Sequence, residues 1–266
     1  MVSHPTVTDN RSIGKASTLL RALLEDESVR GLRLVDLVQR CGLEKSTAHR
    51  LLGALIAEGL VEHDAQLERY RLGVKLVEYG TAVLRRLDVR TEALSVLARL
   101  VEEAEETVHL GIQTGVEVMY LEKFEGPHAI QMRSKVGERM PLHSTGIGKA
   151  MLAYSSEEQL AGVIAHGLSG RTEHTIVNAE ALRADLQRIR TRGYSIDMEE
   201  NEVGVRCVGA PLFDHNIRVV GAISIAGPAY RVSEERLQEL AQLVTEAAQE
   251  VSRRLGCVAS PFAAAR

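Results

Sequence analysis

The stretch Leu34-Val35-Asp36-Leu37-Val38-Gln39-Arg40-Cys41-Gly42-Leu43-Glu44-Lys45-Ser46-Thr47-Ala48-His49-Arg50-Leu51-Leu52-Gly53-Ala54-Leu55 decides how the first part of this chain folds. Leu34, Leu37 and Val38 recur at helical spacing and stop at Cys41-Gly42. Ala48, Leu51, Leu52 and Leu55 recur in the same way from about Glu44, and that run ends at Gly59. Two such helices joined at a glycine predict a helix-turn-helix, because the sharp corner needs a left-handed backbone that glycine adopts cheaply. Val38 and Ala48 are small enough for the crossed helices to approach, and Leu43 and Leu51 fill the corner. The second helix leaves Lys45, Ser46, Thr47, His49 and Arg50 outside, all of them hydrogen-bond donors near its N-terminal end. A recognition helix inserts that end into the major groove of double-stranded DNA. An arginine such as Arg50 can fork onto a guanine edge or a phosphate, Lys45 suits a phosphate, and short hydroxyls reach base edges or backbone oxygens.

Working outward, residues 1–11 are expected to be a disordered polar tail. Ser12 is expected to cap a helix carrying Ile13, Ala16, Leu19, Leu20, Leu23 and Leu24. After Gly59, the β-prone runs Leu60–Asp64 and Glu68–Leu72 flank the turn Ala65-Gln66-Leu67 and predict a hairpin wing, with Arg69 and Arg71 placed for flanking phosphates. The head therefore spans residues 12–73. Residues 1–90 hold 14 Lys or Arg and 12 Asp or Glu, a balance of +2, and the rest of the chain carries −6. The whole-chain charge of −4, which alone argues against nucleic acid, thus averages two unlike parts.

The 266 residues, 45% apolar and 26% charged, have ordinary globular composition and length for one or two domains. No apolar run nears the ~18 residues of a membrane span, and no secretory signal is expected. Three widely spaced cysteines offer neither a disulfide framework nor a Cys-x-x-Cys knuckle, and point to a reducing cytoplasm. With 3% aromatics and no Trp, base stacking on single strands is disfavoured.

Residues 74–104 read as mostly helical, with 74–90 as a linker helix; a second domain follows over 91–256 and a flexible tail over 257–266. Alternation predicts strands through Val108–Ile112 and Val116–Leu121 around Thr114-Gly115, and another at Ala129–Val136. Helices follow around Ser144–Tyr154, Glu157–His166 and Ala179–Arg192, with a Ser155/Glu158 capping box before the second and Asn178 capping the third. Strands return at Tyr194–Met198, Val205–Phe213 and Ile217–Ile225, and Ser233 caps a last helix, Glu234–Leu255. Such an order makes an α+β domain around an antiparallel sheet.

Several of these residues carry a resemblance. Ser12-Ile13-x-Lys15-Ala16-x-x-Leu19-Leu20, then Leu37, Gly42-Leu43-x-Lys45-Ser46-Thr47-x-His49-Arg50-Leu51-Leu52-x-x-Leu55 and Gly59-Leu60-Val61 resemble the winged helix-turn-helix of the IclR family of bacterial transcriptional regulators. Three later segments are similar to the same family: Pro141-Leu142-His143-Ser144-Thr145-Gly146-x-Gly148-Lys149-Ala150; Gly193-Tyr194-x-x-Asp197-x-Glu199-Glu200 through Gly204-x-x-Cys207-Val208; and Ala222-Ile223-Ser224-Ile225-x-Gly227-Pro228. The resemblance covers about residues 12–256. It implies a GAF-like ligand domain behind the head, and an effector site lined by Gly146, Ile147, Asp197, Cys207 and Ser224. Ile147 stands where the family often has Ala, and Ala226 where a second Ser is common. Both changes imply a more apolar pocket, narrowed at Ile147, and an effector with an apolar or aromatic portion.

The residues support part of this without the family. Ser144 and Thr145 at a helix start would leave the Gly146 and Ile147 N–H groups free to hold a small carboxylate. Gly146-x-Gly148-Lys149 resembles a phosphate loop, yet His143 and Ala150 stand where glycine and a hydroxyl are needed. Asp197 would accept a hydrogen bond from a ligand hydroxyl, Ser224 would donate one, and Cys207 would be a compact wall. Cys207 with His143 and Asp197 would make a nucleophile, base and orienter if they converged, but no nucleophile-elbow pattern surrounds Cys207. His109, His143 and Cys207 are possible zinc ligands without ligand spacing. The expectation is a DNA-binding regulator, more a repressor than an activator, of a metabolic operon, controlled by a small organic acid, with no cofactor, no metal and no membrane partner. A homodimer or dimer of dimers would read a pseudo-palindromic operator. The alternative is a metabolite sensor or thiol enzyme with an N-terminal protein-interaction domain.

Overall fold

The computed structural model describes residues 11–26, 28, 30–84, 88–129 and 132–258. Its contacts divide the chain into two compact units, residues 1–86 and 87–266. Residues 1–10 and 259–266 of the two expected tails lie outside the described residues. Cys257, expected at the start of the second tail, is buried instead.

In the first unit, α1 (Arg11–Leu24), α2 (Leu34–Cys41) and α3 (Lys45–Ala57) enclose a core of Leu19, Leu23, Leu37, Ala48, Leu51, Leu52 and Leu55. The corner falls at Gly42, whose φ of +61° is the left-handed conformation that the sequence pattern required. Ser12 does not cap α1: the helix already includes Arg11, and Ser12 sits inside its first turn. Ile13 and Leu24, which share the apolar spacing, face outward, because the helical period carries them off the stripe that holds Leu19 and Leu23. The wing consists of β2 (Val61–Asp64) and β3 (Arg69–Leu72), paired antiparallel. It gains a third strand, β1 (Leu32–Arg33), which pairs with β3 and lies before α2. Two residues are too short to show a period, so β1 left no trace in the sequence pattern. The predicted linker helix is represented by α4 (Lys75–Leu84).

The second unit begins with α5 (Val89–Ala104), whose N-cap is Asp88, accepting from Thr91 N at 2.9 Å. A six-stranded sheet follows, in the order β6 (Arg139–Pro141), β5 (Glu117–Phe124), β4 (Thr107–Thr114), β9 (Val219–Pro228), β8 (Val205–Phe213), β7 (Ser195–Met198), with all neighbours antiparallel. The strand expected at Ala129–Val136 is absent among the residues described there, and Ile130 and Gln131 lie outside them. The edge strand is β6, a few residues later. Three helices, α6 (Gly146–Leu152), α7 (Glu157–His166) and α8 (Ala179–Arg192), connect β6 to β7, and α9 (Glu234–Arg254) closes the chain, capped by Ser233. The capping box of α7 uses Ser156 and Gln159, one residue later than expected, while the Ser155 hydroxyl donates back to Met151 O.

Strand alternation gives the sheet two different faces. Val108, Leu110, Val208, Ala210, Leu212, Ile223 and Ile225 pack under α5 and α9. Their neighbours on the strands, such as His109, Asp197, Cys207 and Ser224, are small or polar and fall on the opposite face. Part of that opposite face packs into a second core, in which Val118, Tyr120 and Ala222 meet Ile147 and Met151, and the rest faces a cavity. No helix among the described residues is long and apolar enough to cross a membrane.

Candidate functional site

Two features stand out, one in each unit. On α3, the core takes Ala48, Leu51, Leu52 and Leu55. Lys45, Ser46, His49 and Arg50 are exposed and Thr47 half-exposed, none of them in a hydrogen bond or ion pair with the described residues. The wing arginines are already engaged. Arg69 Nη1 donates to Gly31 O at 2.5 Å, and the Arg71 guanidinium pairs with Glu62 at 2.9 Å on the surface.

In the second unit, the polar face of the sheet and the start of α6 enclose a cavity of about 440 Å³. Gly146, Ile147, Asp197, Cys207 and Ser224 all line it. Register explains the convergence: Asp197 pairs with Cys207 across β7 and β8, Cys207 with Ala226 across β8 and β9, and Ser224 with His109 across β9 and β4. Adjacent rungs on one face of a sheet bring their side chains within reach of one another. Glycine at 146 has a packing reason, since a Cβ there would sit 3.1 Å from Cys207 Cβ; a Cβ at Gly209 would meet Gly146 O at 2.8 Å. These glycines let α6 lie close against the sheet. Ile147 is buried, and its Cδ1 occupies the space that Gly111 leaves open.

Burial sets the charge states. Asp197 is pushed up to about 7, first by burial and then by Glu200, although its Oδ1 accepts from Glu200 N at 2.7 Å. The Cys207 thiol is pushed well above its ordinary value by burial and by the neighbouring Asp197. An activated nucleophile needs the opposite shift. His143, the base of the imagined triad, bonds Ser169 O and is absent from the cavity lining. His109 is held neutral, its pKa driven to about 3 by burial and by Lys123, and its Nε2 pairs with Ser134 Oγ at 2.7 Å. Among the described residues no group of three or more His, Cys, Asp or Glu is placed to hold a metal.

Sequence reasoning did not select Tyr120 or Arg171 for this cavity, and considered His109 only as a zinc ligand. Tyr120 stacks on His109 with ring centroids 4.6 Å apart. Alternation along β4 and β5 places these side chains on the cavity face, but assigning that face required the register. Lys149 was read only as part of a glycine-rich motif. It is 1% exposed and pairs with Asp185 at 2.9 Å and Glu200 at 2.5 Å.

A helix-turn-helix with an unpartnered donor face, joined to an α+β domain with a polar cavity, defines a class: transcriptional regulators with a ligand-sensing domain. A family model for the IclR helix-turn-helix domain matches residues 12–65, and one for the bacterial transcriptional regulator IclR C-terminal domain matches residues 81–253. The chain belongs to the IclR family. It is 37% identical over 234 residues to the HTH-type transcriptional regulator XynR of Escherichia coli K12, covering 88% of this chain and 93% of that one. It is 34% identical over 259 residues to the transcriptional repressor IclR of the same organism, covering 95% and 94%. The crystal structure of the Agobacterium tumefaciens repressor BlcR superposes with a TM-score of 0.84 at 25% identity, covering 96% of this chain and all of that one. The protein is a DNA-binding transcriptional regulator.

Proposed function

We propose that this regulator represses a metabolic operon in the cytoplasm and is controlled by a small organic acid bound in the second unit. Lys45, Ser46, Thr47, His49 and Arg50 read the operator, and the observation that carries this is their full or partial exposure on α3 without a side-chain partner among the described residues. Arg71 reaches flanking phosphate by exchanging Glu62 for it, and Arg69 supports the wing while presenting its remaining N–H groups. Gly146, Ile147, Asp197, Cys207 and Ser224 receive the effector. A homodimer or dimer of dimers meets a pseudo-palindromic operator with half-sites about one turn apart, or multiples of that.

A gel shift with Arg50→Ala tests the reading. Losing a forked guanine or phosphate contact should weaken operator binding at least about tenfold and leave effector binding unchanged. Unaltered operator affinity removes Arg50 from the contacts.

A further inference from the structure

We infer that Arg171 is the anion-holding residue of the cavity, and that the ligand is an organic acid whose carboxylate pairs with its guanidinium while a hydroxyl-bearing portion rests on Ser224 and Tyr120. This rests on the proposal that the cavity is the effector site.

The floor of the cavity can hold hydroxyls but has no cation to spare. Tyr120 is 7% exposed and Ser224 3%, both line the cavity, and neither hydroxyl has a hydrogen-bond partner among the described residues. Neither hydroxyl is among the fully buried polar atoms that lack a partner, so each stays open to a ligand or to water in the cavity. Burial holds the Cys207 thiol neutral and pushes Asp197 up to about 7, so Asp197 is neutral only below that pH and repels an anion placed beside it as it ionises. Lys149, the nearby buried cation, is spent on Asp185 and Glu200.

Arg171 stands at the rim, braced from several sides. Its backbone N–H donates to Thr175 Oγ1 at 2.9 Å and its Nε to Asn201 O at 3.0 Å. Thr172 and Thr175 in turn donate to Glu199 O and Glu200 O at 2.7 and 2.6 Å, which ties this loop to the end of β7. The two Nη atoms of Arg171 make no bond among the described residues, although the side chain lines the cavity and its charge acts on the Tyr120 hydroxyl. A guanidinium fixed at Nε with a free fork is suited to a planar carboxylate. The other rim cation, Arg133, is exposed like Arg171 but has no such bracing among the described residues.

The test measures binding of gluconate, mandelate and benzoate, each beside its primary amide, to the full-length protein by calorimetry and thermal shift. At least one acid should bind wild type and its amide should not. Arg171→Gln should weaken that acid at least about tenfold, and Arg171→Lys, which keeps the charge but loses the fork, should weaken it less. If Arg171→Gln fails to fold, Arg171→Lys carries the comparison, and undiminished affinity there overturns the inference. Equal binding of acid and amide, or undiminished acid binding by Arg171→Gln, overturns the inference and leaves the cavity as the effector site. Acid binding untouched by both Arg171→Gln and Ser224→Ala puts the ligand elsewhere and overturns both readings, as does silence of wild type toward all six compounds.

Discussion

Asp197 carries the most consequential charge state at the scale of single residues. A carboxyl that titrates at about 7 in the fold, against an ordinary value of 3.8, costs stability as pH rises between the two values. The unfolded chain releases its proton first, so the native state is penalised progressively and the full cost is present above about 7. Asp197→Asn keeps an oxygen to accept from Glu200 N and has nothing to titrate. The melting temperature of Asp197→Asn should therefore gain on wild type as the pH goes from 5 to 8. A difference that stays flat over that range would show that Asp197 ionises in the ordinary way. Residue types alone pointed to Asp197 as a hydrogen-bonding group, but its charge state depends on burial and on Glu200, which only the fold supplies.

Between elements, Lys149 is the tie that matters most. From α6 it reaches Asp185 on α8 and Glu200 just beyond β7, and Arg188 adds a bond to Asp185 at 3.0 Å. Burial works to raise the Asp185 carboxyl, yet Lys149 and Arg188 more than offset it and hold it below the ordinary range. Glu200 stays raised, since burial outweighs its single lysine contact, and its Oε2 is buried without a partner. Lys149→Met would leave Glu200 uncompensated and Asp185 with Arg188 alone. Breaking a buried pair in this way costs about 3–5 kcal/mol, or about 10 °C in a unit of this size. The deficit should shrink as the pH falls, because Glu200, whose carboxyl is already raised, takes up a proton and removes the stranded charge. Calorimetry of the variant at pH 5 and pH 8 checks it, and equal deficits would mean that the charges are screened by other means.

For the molecule as a whole, the uneven charge sets the behaviour toward DNA. The head is nearly neutral overall and relies on a few placed cations. Each phosphate contact adds about 0.9 to the slope of log affinity against log salt. In the proposed homodimer, two phosphate contacts from each head should therefore give a slope of roughly −4. A flat profile in a gel shift or anisotropy titration would mean that Lys45, Arg50 and the wing arginines do not meet phosphate.

What could be read from sequence followed from local periodicity. The turn at Gly42, the buried stripe of α3 and the donors beside it are separated by a few residues, so spacing alone placed them. The main strands and the caps Asn178 and Ser233 were equally local. Short or irregular pieces escaped: β1 has two residues, β6 has three, and the α7 capping box slipped by one because Ser155 and Ser156 are chemically alike. The five cavity residues were named through a family resemblance, and their meeting depends on register across β4, β9, β8 and β7. The helix-turn-helix, the two-part organisation and the donors on α3 were legible along the chain, because each is written in neighbouring residues. Folding was needed to bring Tyr120, Arg171 and His109 into the cavity with Asp197 and Ser224, and to bury Lys149 in its ion pairs. Burial and pairing between distant strands and loops set those charges and contacts, and no local pattern records them.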